Sequence, residues 1–330
     1  MTAPRYDLLC IGNAIVDVIA DTDDAFLAEQ SLDKGSMRLI DEAEAVRLYD
    51  LIGPAREVSG GSAGNTAAGA AALGIRTAFV GQVATDQLGT IYRHDIEAQG
   101  VAFPVAARGD VGATARCLVL VTPDAQRTMN TFLGAAQQLD AKDIDLAAIA
   151  DSAIVYLEGY LWDPPGPRAA MEAAIDAARA AGRKVAFTLS DSFCIARHRD
   201  DFLRLIDQGR IDILFANEAE ICELSGQSDF DAAVADTAAK VVTLVVTRSE
   251  QGAVAVRGGQ KASVAAEPIE RLVDTTGAGD LFAAGFLAGE AKGLSLDLSL
   301  RLGAIAAAEV IQHYGARPEA DLRTLAGALL

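Results

Sequence analysis

The chain has 330 residues, above the usual range for one small domain, so we expect a large domain with a smaller one attached. Its formal net charge of −18 argues against general nucleic-acid binding and against binding to an anionic membrane surface. A site for a phosphate must therefore be built locally, from backbone N–H groups, a few cations and a metal ion.

The cysteines and histidines give no sign of a metal centre. The four cysteines are scattered, without a C-x-x-C pair, and predict reduced, mostly buried thiols in a cytoplasmic protein. The histidines lie far apart, without an H-E-x-x-H motif or a nucleophile elbow, which argues against a metal hydrolase and against acyl transfer. The first residues lack the apolar region of a signal peptide, and no apolar run reaches membrane-spanning length.

Strand and helix patterns alternate along most of the chain. The first, a short apolar run at 6–12, predicts a buried strand of a parallel sheet. Further strands are predicted at 77–81, 153–158, 184–189, 212–215, 242–246 and 253–256. Helices are predicted at 23–30, 41–51, 65–73, 86–97, 167–181, 197–207, 218–224, 231–239 and 299–313. The alternation predicts an α/β fold with a parallel sheet flanked by helices.

Two segments break this alternation. Strand patterns at 114–122 and 127–132, joined by the turn Pro123-Asp124-Ala125-Gln126, predict a β-hairpin. Together with strand patterns at 15–20 and 36–40, the hairpin predicts a small separate β-layer, interleaved in sequence with the main domain. We expect this layer to comprise 15–59 and 101–134, and the α/β core to comprise 1–14, 60–100 and 135–330. An exposed edge of the small sheet is compatible with a monomer or a homodimer.

The stretch 273–282 predicts the end of a strand, a turn of small residues and the start of a helix. Gly277, Ala278 and Gly279 have almost no side chain, so their N–H groups can approach a ligand closely. Unpaired donors and the helix dipole favour an anion there, most naturally a phosphate. Asp280 is unexpected beside an anion. It is either a dipole-compensating residue of the first helical turn or a participant in the chemistry.

Polar side chains also follow other predicted strands. Asn13 and Asp17 lie where open α/β sheets bind ligands, although a turn Asn and a surface Asp would give the same pattern. Asn65 follows a Gly-Gly turn and is placed either to bind a substrate hydroxyl or to cap its helix. Asn217 and Glu220 are three residues apart and share a helix face, and Asn217 also suits a helix cap.

These strand ends favour phosphoryl transfer. The chain has no Walker A motif, no protein-kinase motifs and no dinucleotide fingerprint. The N–H groups of 277–279 would neutralise the charge that develops on a transferred phosphate, and Asp280 would hold the acceptor hydroxyl in line. A carboxylate at a helix N-terminus should stay ionised at neutral pH and is therefore a weak base, which suffices in a loose transition state. Mg²⁺ would offset the charge of the donor phosphates.

Three motifs resemble signatures of the ribokinase-like (PfkB) family of carbohydrate and nucleoside kinases. They are the C-terminal signature at 274–280, the N-terminal signature at 59–65 and an N-x-x-E motif at 217–220, in the family's order along essentially the whole chain. Within the family the chain is most similar to adenosine kinases. That similarity is carried by the segments 12–17, 24–27, 31–32, 156–160, 189–193 and 213–218.

The resemblance implies a Rossmann-like core with a β-sheet lid that closes over the acceptor. Asp280 would be the catalytic base and 277–279 the anion hole. Glu220, with Asn217, would arrange Mg²⁺ through a water molecule, and Asp274 would help to hold a potassium ion. Expected contacts of the acceptor are Asn13, Asp17, Gly61, Ser62 and Asn65 at the ribose and Leu39, Cys117, Leu133 and Tyr160 at the base; expected contacts of ATP are Asn217, Glu220, Thr247, Gly252, Gly277 and Gly279.

The resemblance also implies an ATP-dependent kinase that phosphorylates the 5′-hydroxyl of adenosine or a close nucleoside. Two positions depart from the family pattern. Ser249 replaces the usual Gly of T-x-G-x-x-G, and Ala304 stands where adenosine kinases can carry His. Few aromatic residues are expected at the base, so these departures bear on the nucleobase more than on phosphotransfer.

Three other functions stay open at this point. A sugar kinase acting on ribose or fructose would need several charged or amide groups where the base is expected. A nucleoside- or sugar-binding regulator without catalysis is disfavoured by the intact Asp280 and its turn. A dehydrogenase fits the fold class but lacks the dinucleotide fingerprint. In the first two cases the partner is a small nucleoside or sugar, with ATP for a kinase.

Overall fold

We describe a computed structural model of the chain, in residues 3–124 and 126–330; Ala125 of the predicted hairpin turn and residues 1–2 of the predicted core lie outside the described residues. The strands are β1 (Tyr6–Ile11), β2 (Ile15–Asp21), β3 (Met37–Leu39), β4 (Ala55–Gly60), β5 (Thr77–Val80), β6 (Val101–Ala102), β7 (Ala115–Val121), β8 (Arg127–Phe132), β9 (Ser152–Glu158), β10 (Lys184–Thr188), β11 (Ile213–Asn217), β12 (Thr243–Thr247), β13 (Ala253–Arg257) and β14 (Gln260–Val264).

Twelve α-helices lie between and after these strands in the described residues. They are α1 (Asp24–Glu29), α2 (Glu42–Leu51), α3 (Ser62–Ala72), α4 (Gln87–Ala98), α5 (Leu146–Ala150), α6 (Pro165–Ala180), α7 (Ser192–Asp207), α8 (Glu218–Ser225), α9 (Phe230–Ala238), α10 (Ala278–Ala291), α11 (Leu296–Val310) and α12 (Leu322–Ala326). Among the described residues, no helix is both long enough and apolar enough to cross a bilayer.

Nine strands form the large sheet, in the order β14-β13-β12-β11-β10-β9-β1-β5-β6. The strands from β12 to β6 in this order are parallel, and β13 and β14 are antiparallel, which confirms the predicted α/β class. The strand β14 was not predicted. The signal for it was Gly258-Gly259, which adopt φ of +56° and +81° and join β13 to β14 in a two-residue hairpin.

A second sheet has five strands in the order β3-β8-β7-β2-β4 and contains the predicted hairpin as β7 and β8. Its edge strand β4 was not predicted as a strand. The segment predicted to belong to the small sheet at 101–134 begins too early. Its first residues, 101–102, form β6, which pairs with β5 in the large sheet. The division of the chain into a core and a lid at the stated bounds otherwise remains a prediction.

Side chains of the central strand β1 alternate between two apolar layers. Leu8 and Cys10 belong to the layer that contains α3, α10 and α11. Leu9 and Ile11 belong to the layer that contains α6 and α7 on the other face of the sheet. A strand that is buried on both faces needs apolar residues in succession, which is the run that the sequence shows at 6–12.

Several predicted helix starts differ from the structure, among them the start predicted at 299, which lies at Leu296. The helix predicted from 197 begins at Ser192, because the Asp191 side chain accepts a hydrogen bond from the Cys194 N–H and caps it; the φ of −127° at His198 interrupts its helical geometry. The helix predicted from 65 begins at Ser62, with Gly61 as its N-cap residue, so the alternative that Asn65 is the helix cap is wrong.

The small residues of α3 allow it to lie directly against α10. A Cβ atom at Gly69 would lie 2.5 Å from Leu281 Cδ1 and 2.9 Å from Ala284 Cβ. Since Ala284 Cβ is rigidly attached to its helix, a larger residue at Gly69 would push the two helices apart. The helix that begins with the predicted anion-binding turn is thus positioned by the small-residue helix of the N-terminal signature.

We expect Gly69→Ala to lower the free energy of unfolding by about 1–3 kcal/mol, because overpacking outweighs the usual gain of Ala over Gly in a helix. Urea unfolding measures this. As a control, Gly53→Ala places its Cβ where no atom lies within 4 Å and should change stability by less than about 0.5 kcal/mol. A more stable Gly69→Ala variant would contradict the close packing of α3 and α10.

Candidate active site

A cavity of about 430 Å³ lies at the carboxyl ends of the parallel strands, between the large sheet and the small one. The large sheet contributes Asn217 at the end of β11 and Thr247 at the end of β12. The small sheet contributes Asp17 of β2 and Cys117 of β7, and α10 contributes Asp280. The strand order therefore brings together, in one cavity, residues from five separate parts of the sequence.

A second cavity, of about 660 Å³, adjoins the first and is mainly apolar. The two cavities share Thr247, Thr275, Ala278, Gly279 and Phe282, so the N-terminal turn of α10 is their common wall. Asp280 lines the first cavity and not the second. The site thus has room for two ligands that meet at one helix N-terminus.

The turn before α10 presents free backbone donors. The strand end that the sequence predicted directly before this turn is not found in the part of the chain that the structure describes. Gly277 is the N-cap residue with φ +79°, where its missing side chain avoids backbone strain. The Ala278 N–H donates to Thr275 O at 3.2 Å, so it is not available to an anion as predicted. Among the described residues, the N–H groups of Gly277, Gly279 and Asp280 have no protein acceptor. These three donors form the candidate anion hole.

The carboxylate of Asp280 is held from α3. Ser62 Oγ donates to Asp280 Oδ1 at 2.6 Å, and Asn65 Nδ2 donates to Asp280 Oδ2 at 2.9 Å. Burial raises the pKa of Asp280, and the two hydrogen bonds and Arg317 oppose this shift. A residue that only compensated the helix dipole would need neither partner. The prediction that Ser62 and Asn65 contact the acceptor stays a prediction, since both side chains line the cavity.

The Asp17 carboxylate of the small sheet also faces the first cavity. Burial raises its pKa to about 6, although Arg317 and Arg127 favour the ionised form. Gly61, on the same cavity wall, has φ +84°, and a Cβ there would lie 2.1 Å from Asn13 O. Close backbone contact of the loop after β1 with the start of α3 therefore depends on glycine at this position.

Asn13 does not line the cavity. Its backbone N–H and its Nδ2 both donate to Glu158 Oε1 at 2.7 Å, while the Ala63 N–H donates to Glu158 Oε2 at 2.7 Å. The Asn13 amide thus joins β1 to a buried carboxylate, and its predicted contact with a ribose is not supported by this geometry. Burial raises the pKa of Glu158 to about 7, against the effect of these N–H donors. No local sequence pattern predicted this role for Glu158.

Asn217 and Glu220 form a reciprocal capping box at the start of α8. Asn217 Oδ1 accepts from the Glu220 N–H at 2.8 Å, and Glu220 Oε2 accepts from the Asn217 N–H at 3.0 Å. The helix-cap alternative for Asn217 is therefore correct, yet both residues also line the first cavity. Burial raises the pKa of Glu220 to about 7, and the backbone N–H of Asn217 opposes the shift.

Asp274 is paired with an arginine of the small sheet. Arg127 Nη1 lies 2.6 Å from Asp274 Oδ2 and donates to Thr276 Oγ1 at 2.8 Å. Asp274 also accepts from the N–H groups of Thr276 and Gly315, each at 3.0 Å. The guanidinium supplies the positive charge that a potassium ion would bring, so these residues do not fit the predicted potassium site at Asp274.

Arg127 is a site residue that the sequence reasoning missed. Its side chain is 8% exposed, and its Nε and Nη2 atoms have no hydrogen-bond partner among the described residues. It extends from the start of β8 in the small sheet to the turn that precedes α10. A single arginine in a strand rich in threonine offered no sequence signal, because its role depends on the way the two sheets face each other.

The remaining predicted contacts divide between the two cavities and the surface. Cys117 and Tyr160 line the first cavity, as do Gly61 and Ser62. Gly252 lines the second, together with Ser249 and Ala304, the two positions that depart from the family pattern. Leu39 is 62% exposed, and neither Leu39 nor Leu133 lines the first cavity, so their predicted place at a base is not supported.

Ser249, which replaces the usual Gly of T-x-G-x-x-G, adopts a backbone conformation that glycine favours. Its φ is +50°, in the left-handed region, so the backbone keeps the conformation that glycine adopts readily. At this φ a serine costs about 1–2 kcal/mol more backbone strain than a glycine would.

Comparisons with known proteins agree with this arrangement. The model of the pfkB family carbohydrate kinases matches residues 6–322. An adenosine kinase of Saccharomyces cerevisiae is 28% identical over 336 residues, which cover 96% of each chain. A solved structure of adenosine kinase from Sinorhizobium meliloti is 50% identical with a TM-score of 0.90, and 98% of each chain is covered.

A second solved structure carries a different name. A probable sugar kinase from Rhizobium etli CFN 42 is 46% identical with a TM-score of 0.92, and the match covers 99% of this chain and 100% of that one. Members of the matched family are phosphotransferases that act on an alcohol group and use ATP. The chain therefore belongs to the pfkB family of carbohydrate kinases, as a nucleoside or sugar kinase.

Proposed function

We propose that the chain transfers the γ-phosphate of ATP to the 5′-hydroxyl of adenosine or a similar nucleoside. One observation carries this proposal: two cavities meet at the N-terminal turn of α10, and Asp280 faces only the first. The first cavity takes the acceptor, and the larger apolar one takes the nucleotide. The reacting groups then meet at the free N–H donors of the turn.

Asp280 is the base and the positioning group for the acceptor hydroxyl. Ser62 and Asn65 fix its orientation, and its raised pKa makes it a stronger base than an exposed aspartate. Asp280 is therefore a stronger base for the hydroxyl proton than we expected from its position at a helix N-terminus. Positioning of the hydroxyl in line with the donor phosphate still supplies most of the effect.

The N–H groups of Gly277, Gly279 and Asp280 stabilise the charge on the transferred phosphoryl group. Arg127 adds a guanidinium whose Nε and Nη2 are free to donate near the same turn. Since Arg127 belongs to the small sheet, it brings a positive charge of that sheet to the turn that precedes α10. An arginine suits this role because its donors match phosphate oxygens.

Glu220 is the residue that would hold Mg²⁺, through a water molecule, at the edge of the first cavity. Bound Mg²⁺ would offset the charge of the ATP phosphates. Among the described residues, no group of three or more His, Cys, Asp or Glu side chains could form a full metal site. A single carboxylate fits a Mg²⁺ ion that takes its other ligands from phosphate and water.

The lining of the first cavity favours a nucleoside. Its apolar members are more aromatic than the sequence predicted and include Tyr156, Tyr160, Phe215 and Phe282. A flat base can pack against such rings, while Asp17 and Asn65 bind ribose hydroxyls. The adenosine kinase names of two of the proteins compared above agree with this proposal.

A sugar kinase is the second candidate. The same cavity also holds Asp17, Asn65, Thr131 and Ser190, enough polar groups for a free sugar, and one compared structure is named a probable sugar kinase.

Asp280→Asn should lower turnover by roughly 10²–10⁴-fold while nucleoside binding stays nearly unchanged, because the base is lost and the shape is kept. A coupled ADP-release assay and calorimetric titration measure the two effects. The control is Asp297→Asn, at an exposed aspartate in the first turn of α11 and outside both cavities, which should leave turnover unchanged. Near-normal turnover in Asp280→Asn would remove this residue from the mechanism.

The same ADP-release assay should rank adenosine first by kcat/KM among nucleosides, ribose and fructose. The base adds contact area with the aromatic lining that a free sugar lacks. If ribose or fructose gives a higher kcat/KM than every nucleoside, the nucleoside assignment is wrong and the sugar-kinase candidate takes its place.

The buried carboxylate of Glu220 should make stability depend on pH. Its pKa is near 4.5 when unfolded and about 7 when folded, so its contribution is fully present below pH 4.5 and is lost as pH rises through 7. The loss is on the order of 3 kcal/mol. Glu220→Gln keeps a capping side chain without the charge, so its unfolding free energy should fall less between pH 5 and pH 8.

Urea unfolding at several pH values measures this difference. The exposed Glu42→Gln, in the first turn of α2, is the control and should keep the wild-type dependence. Parallel pH curves for wild type and Glu220→Gln would show that Glu220 is not desolvated in the folded state.

A further inference from the structure

Arg317 lies in the loop between α11 and α12 and contacts the start of the acceptor site. Its Nε donates to Ser59 O at 2.9 Å, its Nη2 donates to Ser59 Oγ at 3.0 Å, and its Nη1 donates to Gly64 O. The guanidinium therefore joins the end of β4 to the first turn of α3. All three contacts lie within the segment 59–64.

The segment held by Arg317 is the one that orients Asp280. Ser62 and Asn65, which donate to the Asp280 carboxylate, lie on the same helical turn as Gly64. Glu158 holds that turn from its other side, through the Ala63 N–H. The Glu158 carboxyl group thus holds this helical turn by a backbone N–H, and the Arg317 guanidinium holds it by a backbone C=O.

Arg317 also places a positive charge outside the first cavity, whose described ionisable lining groups include Asp17, Glu220 and Asp280. Its charge favours ionisation of both Asp280 and Asp17. The titratable and charged groups that interact with the Asp280 carboxylate are Asp17 from β2, Tyr156 and Glu158 from β9, Tyr160 after β9, and Arg317 itself. Of these, Arg317 is the cation.

We propose that Arg317 is a positioning residue for phosphoryl transfer: its guanidinium holds the turn that orients Asp280 and places a positive charge beside the Asp17 and Asp280 carboxylates. This inference rests on the proposed function, in which Asp280 is the base. Arg317 acts through Ser62 and Asn65 and does not itself line either cavity.

The test compares Arg317→Met, Arg317→Lys and the control Arg323→Met by the pH dependence of kcat and KM in the ADP-release assay, with adenosine and ATP. Arg317→Met should lower kcat by roughly ten- to a hundredfold. It should also move the acidic limb of the kcat profile to higher pH, because Asp280 loses a charge that lowers its pKa. Arg323 is exposed and outside both cavities, and its replacement should change neither quantity.

Arg317→Lys keeps the charge and loses the forked contacts, so it should lower kcat and leave the acidic limb in place. It also decides the question if Arg317→Met does not fold. A wild-type kcat in Arg317→Lys would overturn the positioning role. So would an Arg317→Met enzyme that is less stable to heat but has the wild-type kcat and the wild-type acidic limb, since only a structural role gives that result.

Wild type and Asp280→Asn are measured first in the same assay. If wild type transfers no phosphate to any acceptor, or if Asp280→Asn remains active, the proposed function fails. If both behave as expected and the Arg317 variants match wild type, the inference about Arg317 alone is overturned.

Discussion

The hydrogen bonds from Ser62 and Asn65 to the carboxylate of Asp280 link the two helices on which the site depends. One helix, α3, follows the small-sheet strand β4, and the other, α10, begins with the candidate anion-binding turn. Their close contact at Gly69 sets the distance between the start of α3 and the start of α10. In the proposed reaction a single helix pair therefore positions both the acceptor side and the phosphate side, and a shift of either helix would change both.

Charge is the second constraint. The chain carries a net charge of −18, and Asp17, Glu158 and Glu220 all have raised pKa values because they are buried around the cavity. Part of the negative charge around the cavity is offset by Arg127 from the small sheet and by Arg317 from the loop between α11 and α12. A site built in this way favours a substrate that arrives with its own cation, as ATP does with Mg²⁺.

The sequence predicted the fold class and the turn before α10 because both depend on local patterns. Alternating apolar runs identify a parallel sheet, and Gly277-Ala278-Gly279 identify a helix start that can bind an anion. Arg127 escaped prediction because its role arises from the approach of two sheets that are far apart in sequence. The placement of Asn13 and Leu39 outside the first cavity escaped prediction for the same reason: side-chain direction depends on tertiary packing, which no local pattern encodes.

The central claim is that acceptor and donor meet at the N-terminal turn of α10, with Asp280 at the acceptor. A crystal structure of the chain with adenosine and a non-hydrolysable ATP analogue tests it most directly. The account predicts the nucleoside 5′ oxygen about 3 Å from the Asp280 carboxylate and the γ-phosphate against the N–H groups of Gly279 and Asp280. A 5′ oxygen that lies away from Asp280, or a γ-phosphate bound outside this turn, would contradict it.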